Sequence, residues 1–359
     1  MSQIPPLLPL PNIEKWETRA VLKKAAEAQR YLAELKGVAA TIPNEAILIN
    51  TLSLQEAKHS SEIENIVTTH DELFKAELFS ESHINPAAKE VQDYAQALKE
   101  GFKRVREQRI IRLEDVLAIQ QRIEKNRAGL RKLPGTELKN ASTGEVVYTP
   151  PQHPEDIKNL ISNLLVYMND EAICDADPLV KMALIHHQFE SIHPFYDGNG
   201  RTGRIINMLY LVSQGLLDLP VLYLSRYLIH TKTQYYQELQ AVRDSDDWEP
   251  WLLYMLDAVS QTAQSTIELI KQIKNLMQRY KLKIRSELPK IYSQELLNNL
   301  FNHPYTKIEF VMNDLRVSRL TAAKYLEQIV EQGLLRKEKI GRSNYYINEA
   351  LVELFLQRS

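Results

Sequence analysis

The chain has 359 residues and a mass of 41.5 kDa, a length that predicts two or three domains at roughly 100 to 200 residues each. Hydrophobic residues make up 44% and charged residues 25% of the sequence, which is typical of soluble globular proteins and excludes collagen-like, low-complexity and largely disordered classes. Because 44 Lys and Arg residues nearly balance 46 Asp and Glu residues, any affinity for nucleic acid would need a local basic patch.

The cysteine content and the N-terminal sequence predict a cytoplasmic protein. Cys174 is the single cysteine of the chain, so it forms no disulfide within the chain and, by itself, no CxxC zinc site. The first residues, MSQIPPLLPLPN, lack the basic segment of a signal peptide, and prolines interrupt their short apolar stretch. No run of 18 apolar residues occurs, so we expect no membrane-spanning helix and no membrane partner.

Few glycines and apolar residues at helical spacing predict a mainly α fold. The exception is a hairpin, with strands expected at 136–140 and 146–149. Further along, a helix is expected to end near His193, because Pro194 disfavours helical geometry in the residue before it. A second helix is expected to start after the glycines that follow, and another to run from about Ala258 to Ile284.

The C-terminal part of the chain has the pattern of a winged helix-turn-helix domain. Short helices are predicted near 293–301 and 307–312, a longer helix over 318–332, and strands over 334–339 and 344–347. The sequence therefore divides into four predicted regions, which are an N-terminal helical region (1–110), a core (111–257), a helical connector (258–290) and the C-terminal domain (291–359).

A glycine-rich loop, HPFYDGNGRTGR at 193–204, carries the chemistry. Its glycines leave backbone N–H groups free to face an anion at a helix start. The positive end of the helix dipole disfavours the cations Arg201 and Arg204 unless an anion lies beside them. A nucleotide polyphosphate is the candidate anion, with Asp197 able to hold Mg²⁺ and His193 able to take a proton from a hydroxyl group.

Two other nucleotide motifs do not fit the loop. The residues also satisfy GxGxxG, but that motif needs a preceding strand, and here a helix precedes. No Gly-Lys-Ser/Thr follows at the spacing of a Walker A loop. Taken singly, each residue has an ordinary structural alternative, such as a turn, a helix cap or a solvated arginine.

The loop resembles the signature of the Fic family, HPFx(D/E)GNGRxxR, at every specified position. The likeness extends from the hairpin to Trp251, and it includes Gly129-Leu130-Arg131 and the Tyr148-to-Pro151 exit from the hairpin. It implies a Fic-type helical core with a β-hairpin flap. It also implies an enzyme that transfers AMP from ATP to a Ser, Thr or Tyr hydroxyl of a protein, a reaction called AMPylation.

The resemblance assigns a role to each loop residue. His193 would be the general base, Asp197 would hold Mg²⁺ against the α and β phosphates, and Arg201 and Arg204 would bind the β and γ phosphates. The N–H groups of Gly198, Asn199 and Gly200, together with the Asn199 side chain, would form an anion hole. The implied nucleotide-binding set is Asp197, Gly198, Asn199, Gly200, Arg201, Thr202, Gly203, Arg204, Tyr235 and Tyr236. Family members that phosphorylate carry a lysine in place of Gly200, which argues against kinase activity.

An N-terminal segment resembles the inhibitory motif of the family, (S/T)xxxE(G/N), with Ser60, Glu64 and Asn65 at the fixed positions. By the resemblance, Glu64 would pair with Arg204 and occupy the γ-phosphate site. The alternative is a capping box, Ser61-x-x-Glu64, that opens a helix and needs no partner.

The hairpin would be a flap whose edge receives a target segment by β-strand addition. The candidate docking residues are Thr136, Leu138, Asn140, Val147 and Tyr148. The alternative is a surface hairpin without contacts.

For the C-terminal domain, DNA binding and an interaction or dimerisation role are both open. The predicted recognition helix carries Arg319 and Lys324 but also Glu327 and Glu331, so its charge is mixed. The predicted wing is more basic, and its cations are Arg336, Lys337, Lys339 and Arg342.

Three hypotheses for the whole chain follow. The first is a protein adenylyltransferase that uses ATP and Mg²⁺, modifies a target protein and itself, and is inhibited by Glu64. The second is a phosphodiesterase that removes AMP at the same site. The third is a DNA-binding regulator that only senses ATP, and a homodimer remains open in each case.

Overall fold

Helices make up most of the described chain, as the sequence predicts. The computed structural model of the protein describes residues 4–9, 15–76, 85–140, 143–340 and 343–356. The helices are α1 (Arg19–Ala39), α2 (Glu45–Ile63), α3 (His70–Ala76), α4 (Pro86–Gln108), α5 (Leu113–Glu124), α6 (Pro154–Asn169), α7 (Pro178–Ile192), α8 (Asn199–Ser213), α9 (Ser225–His230), α10 (Lys232–Ser245), α11 (Trp248–Glu287), α12 (Gln294–Asn302), α13 (Ile308–Leu315), α14 (Arg319–Glu331) and α15 (Glu349–Leu356). Within the described residues, no helix combines the length and apolar character needed to cross a membrane.

The strands form two small antiparallel sheets. The predicted hairpin is present, with β1 (Leu138–Lys139) paired to β2 (Val146–Tyr148). Its strands are shorter than predicted, and part of the turn between them, residues 141–142, lies outside the described residues. The C-terminal sheet contains β3 (Tyr305–Thr306), β4 (Arg336–Ile340) and β5 (Ser343–Ile347) in the order β3-β5-β4.

Two consecutive helices, α7 and α8, form the centre of the molecule. Every residue of α7 from Leu179 to Ile192 is buried, including polar and charged ones, so this helix lies inside the core on all sides. The helix begins at Pro178, where Asp177 accepts a hydrogen bond from the Leu179 N–H group. It ends at Ile192, which confirms the predicted end before Pro194.

The long helix α11 differs most from its prediction. It begins at Trp248 rather than near Ala258, and it runs without interruption through the predicted boundary after residue 257. Pro250 lies in its first turn, where a proline costs no intrahelical hydrogen bond. Because Trp251 is fully buried and the helix packs along α1, the first half of α11 belongs to the core.

The C-terminal unit follows the predicted order of helices and strands. Two elements, β3 and α15, were not predicted, because each is too short to give a periodic signal. The unit is joined to the rest of the molecule through α11, where the Tyr280 hydroxyl lies 2.7 Å from the Leu334 carbonyl oxygen and 2.8 Å from Asn348 Oδ1. It also contacts the N-terminal region, since the Tyr305 hydroxyl donates to Asp71 at 2.7 Å.

We expect Tyr280→Phe to loosen the C-terminal unit from α11. The substitution removes the hydroxyl donor from the Leu334 carbonyl, while Asn348 Oδ1 keeps the Leu351 N–H group, and we expect a cost of about 1 to 2 kcal/mol. Thermal unfolding followed by circular dichroism should show a midpoint lowered by roughly 2 to 4 °C. The matched control is Tyr292→Phe, at a tyrosine whose ring packs on Arg285. Equal midpoints for the parent and Tyr280→Phe would show that this anchor contributes nothing.

Candidate active site

The glycine-rich loop joins α7 to α8, and hydrogen bonds from the Asn199 side chain to the loop backbone hold it in place. The Asn199 side chain accepts from the Phe195 N–H group and donates to the Phe195 carbonyl, both at 2.8 Å. Its oxygen and one of its two Nδ2 hydrogens are therefore used within the loop, and a part for this side chain in an anion hole stays a prediction. The helix α8 starts at Asn199 rather than after the glycines, with Gly198 as its cap at φ +78°. A positive φ of this kind favours glycine.

The first turn of α8 supplies the free donors. The N–H groups of the first residues of a helix have no intrahelical acceptor, and here they belong to Asn199, Gly200 and Arg201. Together with the positive end of the helix dipole, they form an anion-binding position. The backbone part of the predicted anion site is thus present in its geometry.

His193 occupies the end of α7 in a left-handed conformation, with φ +47°. Burial, together with the nearby guanidinium groups of Arg131 and Arg243, lowers the pKa of its ring to about 4. A neutral imidazole at pH 7 can accept a proton. The structure therefore gives His193 the protonation state that a general base requires.

Arg131 fixes the backbone at His193 and was not singled out by the sequence. Its side chain is 1% exposed. Its Nε donates to the His193 carbonyl at 2.7 Å, and its Nη2 donates to the Pro151 carbonyl at 2.9 Å. The Arg131 N–H group donates to the Pro194 carbonyl at 2.8 Å. The family resemblance includes Arg131, but nothing in the local sequence indicates this role.

Arg204 is buried and makes three hydrogen bonds to the segment predicted to be inhibitory. Its Nε donates to Ser60 Oγ at 2.8 Å, and its Nη2 donates to the Ser60 carbonyl at 2.9 Å and to Glu64 Oε1 at 2.8 Å. Burial alone would raise the pKa of the Glu64 carboxyl, but the charge of Arg204 and its hydrogen bond outweigh burial, so the pKa lies below its usual value. The expected pairing of Glu64 with Arg204 is present, and its effect on activity stays a prediction.

The capping-box alternative for this segment is wrong. Ser61 lies in the last turn of α2, and Glu64 follows the end of that helix instead of belonging to the first turn of a new one. Asn65 then adopts a left-handed conformation at φ +64°, which asparagine tolerates well. Lys232 Nζ donates to the Ile63 carbonyl at 2.6 Å, so a cation stabilises the C-terminal end of α2.

Gly200 provides the space for the Glu64 carboxylate. A Cβ atom at this position would collide with Glu64 Oε1 and would lie 2.9 Å from Arg204 Nη1. The carboxylate therefore lies directly against the first turn of α8, where the backbone donors are.

Arg201 is also paired with a glutamate, which the sequence did not indicate. Its Nη2 lies 2.6 Å from Glu124 Oε1 at the end of α5, and its Nη1 lies 3.4 Å from Glu90 Oε2 on α4. Both arginines that the resemblance assigns to phosphates are thus bound to carboxylates of the chain itself.

Asp197 is exposed, as a metal ligand at the mouth of a site would be. Its Oδ1 accepts from the Gly198 N–H group at 2.7 Å. The described residues contain no group of three or more His, Cys, Asp or Glu side chains arranged to hold a metal. One carboxylate fits Mg²⁺ nevertheless, because that ion usually keeps several waters and takes further ligands from substrate phosphates.

Three members of the predicted nucleotide-binding set are buried. Thr202 is fully buried, and a Cβ at Gly203 would lie 2.9 Å from Glu190 Oε1. Tyr235 is 2% exposed, with its hydroxyl 2.9 Å from His186 Nε2. Because Arg201 and Arg204 are buried as well, burial alone does not decide the matter, and nucleotide binding by these three residues stays a prediction. Of the tyrosine pair, Tyr236 reaches the surface, where it is 46% exposed.

Two buried acidic residues lie near Arg204 and had no signal in the sequence. Burial raises the pKa of Glu190 to about 7, although the charge of Arg204 opposes this. Burial also raises the pKa of Glu56, which accepts hydrogen bonds from the Ser225 N–H group, the Ser225 hydroxyl and the Tyr94 hydroxyl. Both lie on helices, where an isolated glutamate is normally a solvated surface residue.

The hairpin is anchored beside the site, so the alternative of a hairpin without contacts is wrong. The Tyr148 hydroxyl donates to the Ser191 carbonyl at 2.9 Å, and the Arg243 guanidinium lies 4.1 Å from the centre of its ring. The Tyr148 side chain is therefore structural. Thr136 is also engaged, because its carbonyl accepts from Gln152 at 3.0 Å. Val147 remains 45% exposed, and Leu138 and Asn140 lie on the opposite arm of the hairpin.

Three basic residues of the C-terminal unit are paired with carboxylates. Arg319 contacts Glu309 at 2.7 Å, and Lys337 contacts Glu327 at 2.5 Å. Arg336 has two acidic neighbours, Glu338 and Glu349. Arg342 lies outside the described residues. The described part of the unit thus gives the prediction of DNA binding no support.

Three family models match parts of the chain. Residues 22–103 match the model "Fic/DOC family N-terminal", and residues 110–211 match the model "Fic/DOC family". Residues 276–351 match the C-terminal domain of "Protein adenylyltransferase SoFic-like". The chain belongs to the Fic/DOC family.

Two curated relatives match part of the chain at less than 30% identity, and both are longer than this chain. Protein adenylyltransferase fic-1 of Caenorhabditis elegans is 28% identical over 162 residues, which is 44% of this chain and 30% of that protein. Protein adenylyltransferase Fic of Drosophila grimshawi is 27% identical over 172 residues, 47% of this chain and 33% of that protein. The matched part spans about a third of the length of these relatives.

Solved structures of the family share the fold. A Fic family protein from Desulfovibrio desulfuricans superposes with a TM-score of 0.60 at 19% identity, covering 92% of this chain and 96% of that one. Fic-1 from C. elegans superposes with a TM-score of 0.54 at 21% identity, covering 70% of this chain and 74% of that one. The predicted Fic-type helical core is therefore confirmed.

We expect the His193 ring to stay neutral well below its usual titration range. Because its pKa is lowered to about 4 in the folded chain, only the unfolded chain takes up this proton between about pH 6.5 and pH 4. The contribution of His193 to stability is therefore lost as the pH falls through that interval. Nitrogen chemical shifts of the labelled ring, assigned with His193→Ala, measure the titration. A midpoint near pH 6.5 would contradict the burial argument.

Proposed function

We propose that the chain transfers AMP from ATP to a hydroxyl group of a protein, and that Glu64 restrains the transfer by occupying Arg204. The observation that carries the proposal is the position of the Glu64 carboxylate. It lies on a buried arginine and on Gly200, at a helix start that is built to bind anions. The names of the curated relatives, which are protein adenylyltransferases, support the same reaction.

The triphosphate would bind across the first turn of α8. Backbone N–H groups of Asn199 and Gly200, with the guanidinium groups of Arg201 and Arg204, would neutralise phosphate oxygens. Asp197 would hold Mg²⁺ together with phosphate oxygens, and the ion would offset the charge of the α and β phosphates. Donors already fixed in place lower the barrier, because they need no reorganisation during the reaction.

His193 would activate the acceptor. Its neutral ring would take the proton of the attacking hydroxyl while the oxygen forms a bond to the α phosphorus. The bond from that phosphorus to the oxygen bridging to the β phosphate would break, and pyrophosphate would leave with its electron pair. Arg131 would keep the ring in place through the His193 carbonyl. A protein with one AMP attached and free pyrophosphate would be the products.

Glu64 would inhibit by competition for one arginine. A carboxylate and a γ phosphate cannot share Arg204, since two anions in one buried position repel each other strongly. ATP would then bind without its γ phosphate in place, or would not bind at all. The Glu64 side chain is 34% exposed, so it can leave its position without opening the core.

The target segment would approach along the hairpin. Val146 and Val147 are about half exposed beside the site, and an extended segment could add to the hairpin through main-chain hydrogen bonds. Hydroxyl-bearing residues of the chain itself would be acceptors in the absence of another target. This acceptor chemistry makes self-labelling a direct assay.

We expect Glu64→Gly to increase self-labelling by about tenfold or more, which is within the usual range of coupling between competing ligands. The purified chain is incubated with MgATP, and the mass gain of one AMP is measured by intact mass spectrometry. The matched control is Glu62→Gly, in the same last turn of α2, where the glutamate pairs with Lys58 instead of the site.

Three outcomes would contradict the proposal. Labelling that persists in the double variant Glu64→Gly/His193→Ala would remove His193 from the reaction. Equal labelling of the parent, Glu62→Gly and Glu64→Gly would remove the inhibitory role of Glu64. A mass gain of one phosphoryl group instead of AMP would change the reaction type.

A further inference from the structure

Arg201 is held by a glutamate that lies outside both Fic motifs. The Arg201 and Glu124 side chains are 6% and 13% exposed, and their atoms meet at 2.6 Å. The Glu90 side chain is 44% exposed, and it lies 3.4 Å from the same guanidinium. A short pair shielded from water is much stronger than an exposed one. Glu124 is therefore the main partner of Arg201.

The same carboxylate lies against the cap of α8. A Cβ atom at Gly198 would lie 2.6 Å from Glu124 Oε1, the oxygen that contacts Arg201. The oxygen thus occupies space next to the glycine that opens the helix, where an external anion would lie. Glu64 occupies the equivalent space at Gly200.

The two contacts form a matched arrangement. Glu64 follows the last residue of α2, and Glu124 is the last residue of α5. Each places a carboxylate on one glycine and one arginine at the start of α8. Two carboxylates of the chain therefore contact the start of α8, one on Arg201 and one on Arg204.

We propose that Glu124 occupies the β-phosphate position on Arg201 and sets the affinity of the site for that phosphate. The inference rests on the proposed function, because it takes the anion that binds there to be a nucleotide polyphosphate. Glu64 then restricts the γ position, and Glu124 restricts the β position.

The surroundings of Glu124 favour its exchange for a ligand. Burial raises the pKa of Glu124, the charge of Arg201 opposes this, and the negative charges of Asp197, Glu90 and Glu64 raise the pKa further. A carboxylate held among like charges is bound less tightly than one paired alone. A phosphate that brings Mg²⁺ to Asp197 would reduce this repulsion as Glu124 moves away.

Nucleotides of different length separate the two glutamates. AMP has no β phosphate, ADP has a β phosphate, and ATP has both β and γ phosphates. If Glu124 occupies the β position, Glu124→Gln strengthens the binding of ADP and of ATP by the same factor and leaves AMP unchanged. Glu64→Gly strengthens the binding of ATP alone.

The experiment measures Kd by isothermal titration calorimetry for AMP, MgADP and MgATP. The full-length parent is compared with Glu124→Gln, with Glu64→Gly and with the double variant. We expect Glu124→Gln to lower the Kd of MgADP by about fivefold to tenfold, a typical size for coupling between sites. In the double variant, the gain for MgATP should exceed that of either single variant, and because the two carboxylates repel each other the two factors need not multiply.

Glu90→Gln is the matched control, because it removes a charge near the same arginine but from a longer and more exposed contact. We expect it to change the Kd of MgADP by less than about twofold. Glu124→Ala is measured as well, so that the result does not depend on the amide of the glutamine. Circular dichroism and the thermal midpoint confirm that each variant is folded.

An unchanged or raised Kd of MgADP in both Glu124 variants would overturn the inference. A raised value would show that Glu124 only orients Arg201 for binding. A tightening for AMP as strong as for MgADP would also overturn it, since AMP has no β phosphate. These results are independent of AMP transfer. The proposed function fails instead if the Glu64→Gly chain binds MgATP but transfers no AMP to any hydroxyl.

Discussion

The structure depends on two arginines buried at the positive end of one helix. Arg201 and Arg204 are 5% and 2% exposed. Arg201 lies in the first turn of α8, where the helix dipole disfavours a cation, and Arg204 lies in the second turn. A buried cation without a partner costs several kcal/mol. The site must therefore contain anions in every state, and the chain supplies them when no ligand does. The start of α8 is therefore a site at which an anionic ligand can replace the carboxylates of the chain.

The parts of the site differ in how firmly they are held. The loop is fixed from behind by groups that cannot move without breaking buried hydrogen bonds, chiefly Arg131 on the His193 carbonyl and Asn199 on Phe195. The two glutamates come from the ends of helices and reach the arginines with flexible side chains. The loop, whose geometry catalysis requires, is therefore the rigid part of the site. The two glutamates, which a ligand must replace, are the part that can move.

The sequence predicts best what is contiguous. His193 to Arg204 can be interpreted because glycines, acid, base and arginines lie in one stretch, and Pro194 marks the helix end. Glu124 and Glu190 could not be predicted, because each is an isolated charged residue in sequence, and Arg131 entered only through the family resemblance, without a role. Local patterns also fail where burial decides. Tyr235 and Tyr236 look alike as a pair, but side chains adjacent on a helix point about 100° apart, and only Tyr236 reaches the surface.

The contacts of α2 determine how Glu64 can leave Arg204. In the middle of this helix, the buried Glu56 is bound by Ser225 and Tyr94. Nearer its start, Asn50 donates to Asn302 of the C-terminal unit at 2.6 Å. Moving the whole helix would leave the Glu56 carboxyl buried without partners, which costs more than breaking a partly exposed ion pair. The release of Glu64 must therefore be local, through rotation of its side chain or unwinding of the last turn of α2, while the rest of the helix stays in place.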